Sequence, residues 1–224
     1  MFLDNIKAVI IDLDDTLYSE EEFVYSGFKA VSLYLQQTGL VKKDLYGLML
    51  QNFKNGNRAE IFNEILKSEN IEPEEELINS LIDIYRSHKP DISLFTDAVS
   101  FLDRIHGQKK LGLLTDGYLN VQQNKVAALG IEHFFDIIVY TDEMGRDFWK
   151  PHQAGYEKIM NTLGVTGNEC IYIGDNPTKD FFSANKLGWK TIQIKRPGGV
   201  YSCKEALNEE FAANSVLESF SQLF

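Results

Sequence analysis

The sequence predicts an α/β fold: a doubly wound parallel sheet with a helical domain inserted after its first strand. Three observations predict it. Short β-branched apolar runs recur along the chain, amphipathic helical stripes separate them, and one long stretch carries stripes without any run. Continuous apolar character, rather than alternation, marks strands buried on both faces.

The first strand is read in Ile6-Lys7-Ala8-Val9-Ile10-Ile11. From about Tyr18 to Pro90 only helix is expected. One stripe runs through Val24, Phe28, Val31 and Leu35, and a second through Ile61, Phe62, Ile65 and Leu66. A third, through Leu77, Ile78, Leu81, Ile82 and Tyr85, follows Pro73 and the acidic turn Glu74-Glu75-Glu76. Beyond Pro90, Ala98, Leu102 and Ile105 mark a helix. Strands then follow at Lys110–Leu114, Asp136–Tyr140, Cys170–Ile173 and Lys190–Ile194. Tyr156, Ile159, Met160 and Leu163 make another helical stripe. Helices ending in Leu129-Gly130, Leu163-Gly164 and Leu187-Gly188 repeat one punctuation, a glycine that closes a helix in the left-handed conformation before a strand begins. The expected domains are therefore an α/β core over residues 1–17 and 91–224 and a helical domain over 18–90. An insertion at the carboxyl end of a strand stands over the ligand-binding edge of such a sheet, placed to act as a lid.

Composition narrows the function. With 44% hydrophobic and 25% charged residues the chain is ordinary globular material. Its 33 acids against 22 bases leave a net charge of −11 and no basic run, which argues against a nucleic-acid partner. Cys170 and Cys203 are too few for a disulfide framework, and the four histidines show no zinc or triad spacing. The longest early apolar stretch, Ala8 to Ile11, is cut by Asp12, so neither a signal peptide nor a membrane span is expected, and the cytoplasm is the expected location. Oligomeric state is not legible.

Carboxylates gather where the strands end. The first strand runs into Asp12-Leu13-Asp14-Asp15-Thr16, the second into Thr115-Asp116-Gly117, and the fourth into Gly174-Asp175-Asn176-Pro177-Thr178-Lys179-Asp180. Lys150-Pro151 lies beyond the third. Strand ends at one edge converge on one crevice. Asp12, Asp14, Asp175 and Asp180 gathered there would repel one another without a cation. All-oxygen ligands with no His or Cys suit Mg²⁺. Of Asp12 and Asp14, one can attack while the other moves protons. Thr115 offers a hydroxyl and a backbone N–H near a helix start, and Lys150 a positive charge for an anionic oxygen. Together these describe phosphoryl transfer through an aspartyl phosphate.

This set resembles the haloacid dehalogenase superfamily: Asp-x-Asp-x-Thr at Asp12 to Thr16, Thr115, Lys150, and Gly-Asp-x-x-x-x-Asp at Gly174 to Asp180. The motifs appear in order along the chain, and the helical insertion resembles the superfamily's first type of cap over a Rossmann-like core. The resemblance implies Asp12 as nucleophile and Asp14 as general acid and base. It implies that Thr115, with Asp116 and Gly117 beside it, and Lys150 hold the phosphoryl group. It also implies Mg²⁺ on a carboxylate oxygen of Asp12, the backbone carbonyl of Asp14 and the carboxylate of Asp175, with Asp180 supporting the metal site through water or by orienting Lys150. Asp15 and Asp116 also read as capping or turn residues. Asp142 and Glu143 read as the end of the third strand, and Trp149 as packing. Asn176 reads as a metal-loop or turn residue.

Asp14 favours ester hydrolysis over dehalogenation, whose branch lacks this Asp. Asp15-Thr16 favours hydrolysis over sugar phosphomutase chemistry, whose branch usually carries a Gly-Val pair there. The expected activity is a Mg²⁺-dependent phosphomonoesterase acting on a small phosphorylated metabolite: a sugar phosphate, an acylneuraminate phosphate or a nucleotide. A phosphomutase is the rival enzyme. A catalytically silent module that binds such metabolites is the rival from another class. Within the insertion, Arg58 can bind a second anionic group of the substrate or stand as a solvated surface arginine; Phe23 and Tyr25 read as packing or substrate contacts.

Overall fold

The structure, a computed structural model, describes residues 3–56 and 58–224. Six parallel strands form one sheet: β1 (Ala8–Ile11), β2 (Lys110–Thr115), β3 (Ile137–Tyr140), β4 (Cys170–Gly174), β5 (Lys190–Ile194) and β6 (Ser215–Leu217). Their spatial order is β3-β2-β1-β4-β5-β6. The chain builds outward from β1 in one direction and then in the other, so the order reverses at β1. That reversal opens the crevice where doubly wound sheets bind ligands. Register brings three chain segments to it: Ile11 pairs with Leu113 of β2 and Ile173 of β4, so all three strands end at one edge.

β6 was not among the expected strands. It is three residues long, lies at the sheet edge and pairs only with β5 among the described residues. So short a segment carries no apolar run to read.

The helices are α1 (Glu20–Gln37), α2 (Tyr46–Lys54), α3 (Ile61–Ser68), α4 (Glu75–Ser87), α5 (Thr96–Ile105), α6 (Leu119–Leu129), α7 (Ala154–Leu163) and α8 (Phe181–Lys186). Gly130 and Gly164 close α6 and α7 at φ of 66° and 62°, where a side chain would be strained. Among the described residues no helix is long and apolar enough to cross a membrane.

The chain divides into two compact units. One comprises residues 1–20 and 93–224, the other Glu21–Ile92. In the first, Ala8, Ile10, Leu114, Val139, Tyr156, Ile159 and Tyr172 pack the sheet against its helices. Its two chain crossings meet: Tyr18 bridges Leu94, and the Phe95 N–H donates to the Leu17 carbonyl at 2.9 Å. The second unit has a separate core built on Phe28, Val31, Leu35, Met49, Ile65, Leu66 and Leu81. Glu74, Glu75 and Glu76 are exposed on it.

Candidate active site

Every residue of the site described below belongs to the sheet-bearing unit. Asp12 follows β1 directly, and its N–H donates to the Ile173 carbonyl at 2.9 Å, extending the ladder with β4. Its carboxylate meets the Lys150 ammonium at 2.6 Å. Lys150 also contacts Asp180 at 2.8 Å and donates to the Tyr172 hydroxyl at 2.9 Å, with its side chain wholly shielded from solvent. The Lys150 main chain is fixed too: its N–H donates to Asp116 at 3.0 Å.

Carboxylate oxygens of Asp12, Asp175 and Asp180 lie within 4.8 Å of one another. Asp180 is fully buried, on Lys150 through one oxygen and accepting the Asn176 N–H at 2.9 Å through the other. Its approach requires a residue without a side chain at the end of β4, since a Cβ on Gly174 would stand 2.5 Å from the Asp180 Oδ2. Asp175 is buried, and among the described residues its carboxylate has no hydrogen-bond or ion-pair partner. Burial, then the neighbouring Asp180 and Asp12, push its carboxyl well above the usual carboxylate range. Burial likewise pushes Asp12 up to about 7, although Lys150 opposes it. Lys150 is held well above the ordinary lysine value, because Asp12 and Asp180 outweigh its burial.

These observations test the fit of a divalent cation. Of three converging carboxylates, Asp12 and Asp180 share one buried ammonium, and the third, Asp175, has no hydrogen-bond or ion-pair partner among the described residues. The donors are all oxygen. That set fits a hard cation that keeps waters of its own. Asp12, Asp175 and Asp180 are the residues whose side chains can hold it.

Asp14 lies outside this triad. Its carboxylate accepts from Tyr18 at 2.5 Å and Lys125 at 2.6 Å on one oxygen, and from Gln122 at 2.8 Å on the other. Burial alone would raise the Asp14 carboxyl, but Lys125, Tyr18 and Gln122 together hold it below its ordinary value. Gln122 also donates to the Thr115 hydroxyl at 2.6 Å, so one amide joins the ends of β1 and β2. Thr115 itself is buried.

Asp116 makes three contacts. It accepts from Thr141 at 2.8 Å and from the Lys150 N–H, and it holds the Lys179 ammonium at 2.9 Å. Those charges keep its carboxyl below the usual range despite its burial. Gly117 follows at φ 127°. Asp15 adopts φ 51° and accepts the Glu20 and Val200 N–H groups at 2.9 and 2.8 Å, as a turn and helix-start residue. Asn176 accepts from the Thr178 N–H and hydroxyl, which makes it a turn residue. Asp142 caps α6 through the Leu119 N–H at 3.0 Å and accepts the Trp149 indole N–H at 3.2 Å.

A cleft of about 140 Å³ opens on Asp12, Asp14, Asp175, Trp149 and Lys179. Trp149 thus borders the cleft as well as packing. Complete small-molecule pockets run to about 300–1,000 Å³, so this cleft suits a phosphoryl-sized group with its waters rather than a whole metabolite. Glu20 and Tyr201 line its rim, and burial followed by the Asp14 charge pushes the Glu20 carboxyl up to about 7. Arg58 belongs to the other unit, where it is exposed with its guanidinium 4.4 Å from the centre of the Phe53 ring. There Phe23 packs edge-on to Tyr85, and Tyr25 edge-on to Phe53.

Sequence reasoning missed Tyr18, Gln122, Lys125 and Lys179. Lys179 lay within the Gly174–Asp180 motif, where a lysine among acids was a usable signal. The others gave none.

A family model described as haloacid dehalogenase-like hydrolase matches residues 9–194. A glyceraldehyde 3-phosphate phosphatase of Methanopyrus kandleri is 30% identical over 213 residues, covering 92% of this chain and 90% of that protein. One of the same name from Methanocaldococcus jannaschii is 27% identical and covers 95% of each. Among solved structures, a HAD family hydrolase of Deinococcus radiodurans with bound phosphate and sodium superposes with a TM-score of 0.66. It is 19% identical and covers 98% of this chain and 93% of that one, a likeness of fold.

Proposed function

The chain belongs to the haloacid dehalogenase-like hydrolases, and from that membership we propose that it hydrolyses small phosphorylated metabolites through an aspartyl phosphate on Asp12. The observation that carries the reading is the Asp12 carboxylate on the buried Lys150 ammonium, at the meeting point of three carboxylates. That arrangement orients one carboxylate oxygen while leaving the other open to a reacting phosphorus.

In the first half-reaction an Asp12 oxygen forms a bond to phosphorus as the ester P–O bond breaks. Asp14, in its protonated form, gives its proton to the departing oxygen, and the alcohol leaves. In the second, Asp14 takes a proton from water, the water oxygen bonds to phosphorus, and the Asp12–phosphorus bond breaks. Inorganic phosphate and the free carboxylate result. Lys150 and the Thr115 hydroxyl neutralise and orient phosphoryl oxygens. Mg²⁺, held by Asp12, Asp175 and Asp180, would offset the charge of carboxylates and phosphate when bound.

The relatives' names place glyceraldehyde 3-phosphate first among substrates to try. The decisive measurement is release of inorganic phosphate from a panel of phosphorylated metabolites with Mg²⁺, repeated with excess EDTA and with Asp12→Asn. Phosphate release that EDTA abolishes and Asp12→Asn lacks is expected. Full activity in EDTA, multiple turnover by Asp12→Asn, or phosphate merely moved within a sugar would each overturn the reading.

A further inference from the structure

We propose that Lys125 is a positioning residue for proton transfer: from the middle of α6 it holds the Asp14 carboxylate in its working orientation, with Tyr18 and Gln122 as partners. The inference rests on the reading of Asp14 as acid and base.

The observations are geometric. Lys125 is buried, its side chain 4% exposed, in a chain whose lysines mostly reach solvent. Burying an ammonium costs free energy unless a partner answers it. Its partner here is Asp14, at 2.6 Å. Gln122 lies three residues earlier on the same helix face and is also buried. Asp14 therefore receives Lys125 and Tyr18 on one oxygen and Gln122 on the other, which fixes both carboxylate rotations. Yet its side chain keeps 22% of its surface exposed, at the cleft. A clamped carboxylate that still opens on the cleft is what a proton-transfer group requires.

The clamp also settles a competition. Asp14 is two residues from Asp12, and a carboxylate free to turn could join the acidic triad, where its oxygens would be withdrawn from a leaving group. The three donors hold it elsewhere. Gln122 adds a link, since its amide also fixes the Thr115 hydroxyl. Asp14 and the Thr115 hydroxyl thus share one support.

The test uses the full chain and two substrates: the best alkyl phosphate of the panel and p-nitrophenyl phosphate. An alkoxide needs a proton to leave; p-nitrophenolate does not. kcat/KM reports the steps through leaving-group departure. Lys125→Met should lower kcat/KM for the alkyl ester by ~10²-fold, the lower end of what general acid catalysis supplies, and leave the aryl ester nearly unchanged. Lys125→Arg should restore much of the alkyl rate, because a guanidinium can still donate to Asp14. Tyr18→Phe removes one donor and keeps the shape, so it should show the same substrate split more weakly. It also serves if Lys125→Met melts too low to assay. Equal losses on both substrates, or none on either, would overturn the positioning role. Asp14→Asn is the control arm. If it fails to split the two substrates, the reading of Asp14 itself fails, whatever Lys125 does.

Discussion

At the scale of single residues, the site is a balance of charges that each side chain alone would upset. Lys150 is tolerable in a dry interior because Asp12 and Asp180 answer it, and Asp180 because Lys150 and the Asn176 N–H answer it. Gly174 makes that arrangement possible. A Cβ there would lie 2.5 Å from Asp180 Oδ2 and 2.9 Å from a Tyr172 ring carbon. Gly174→Ala should therefore displace Asp180 and loosen Lys150. Overpacking of this kind costs about 1–3 kcal/mol. A thermal melt should show that modest loss, while kcat falls more steeply than stability explains, because Lys150 no longer meets Asp12 squarely. Unchanged kcat in a folded Gly174→Ala protein would mean that the Asp180–Lys150 contact does not orient the site.

At the scale of elements, the clearest tie is Arg196, just after β5. Its guanidinium donates to Asp97 in the first turn of α5 at 2.8 Å and to the Thr16 carbonyl at 3.0 Å, over the face of Phe95. Asp97 also accepts from the Ser219 hydroxyl and the Phe220 N–H, binding the C-terminal segment to α5. Burial would raise the Asp97 carboxyl, but these donors hold it below its ordinary 3.8. A depressed folded value gives stability that is complete above the unfolded value and is lost as pH falls through the folded one. Urea unfolding of Asp97→Asn should thus show a deficit of about 1.5–3 kcal/mol at pH 7, the range for hydrogen bonds to a charged group. The deficit should narrow below about pH 4 as wild-type Asp97 takes up its proton. A gap constant from pH 7 to pH 3 would show that packing, not charge, makes the tie.

The elements also show where sequence was legible. β1, β2, β4 and β5 are apolar runs buried over nearly their whole length, β3 is buried over its second half, and burial of that kind writes itself into composition. Asp12, Asp14, Asp175 and Asp180 could be read because strand ends must converge on the crevice. Gln122 and Lys125 could not. On a helix such as Leu119-Asn120-Val121-Gln122-Gln123-Asn124-Lys125 they look like a solvated face. Only the packing of α6 against the ends of β1 and β2 makes them interior, and periodicity holds no record of that packing. Tyr18 was hidden for the same reason: its hydroxyl turns back on Asp14 through a local turn that no apolar pattern encodes.

At the scale of the whole molecule, a net charge of −11 is borne by two units with separate cores. The acidic triad lies in one of them, between segments that follow β1 and β4. A cation bound there should stabilise that unit by mass action, by about 2.7 kcal/mol at a hundred times its dissociation constant. Leu81 lies fully buried in the core of the other. Removing such a side chain to alanine costs about 2–5 kcal/mol. Hydrogen exchange read segment by segment separates the two effects. Leu81→Ala should speed exchange over residues 21–92 and leave the Mg²⁺-dependent protection around Asp12 and Asp175 in place. Asp175→Asn should abolish that protection and leave residues 21–92 as they were. If Leu81→Ala instead opened β1 and β4 to the same degree as its own unit, the two cores would unfold as one cooperative structure. The helical insertion would then have no stability of its own.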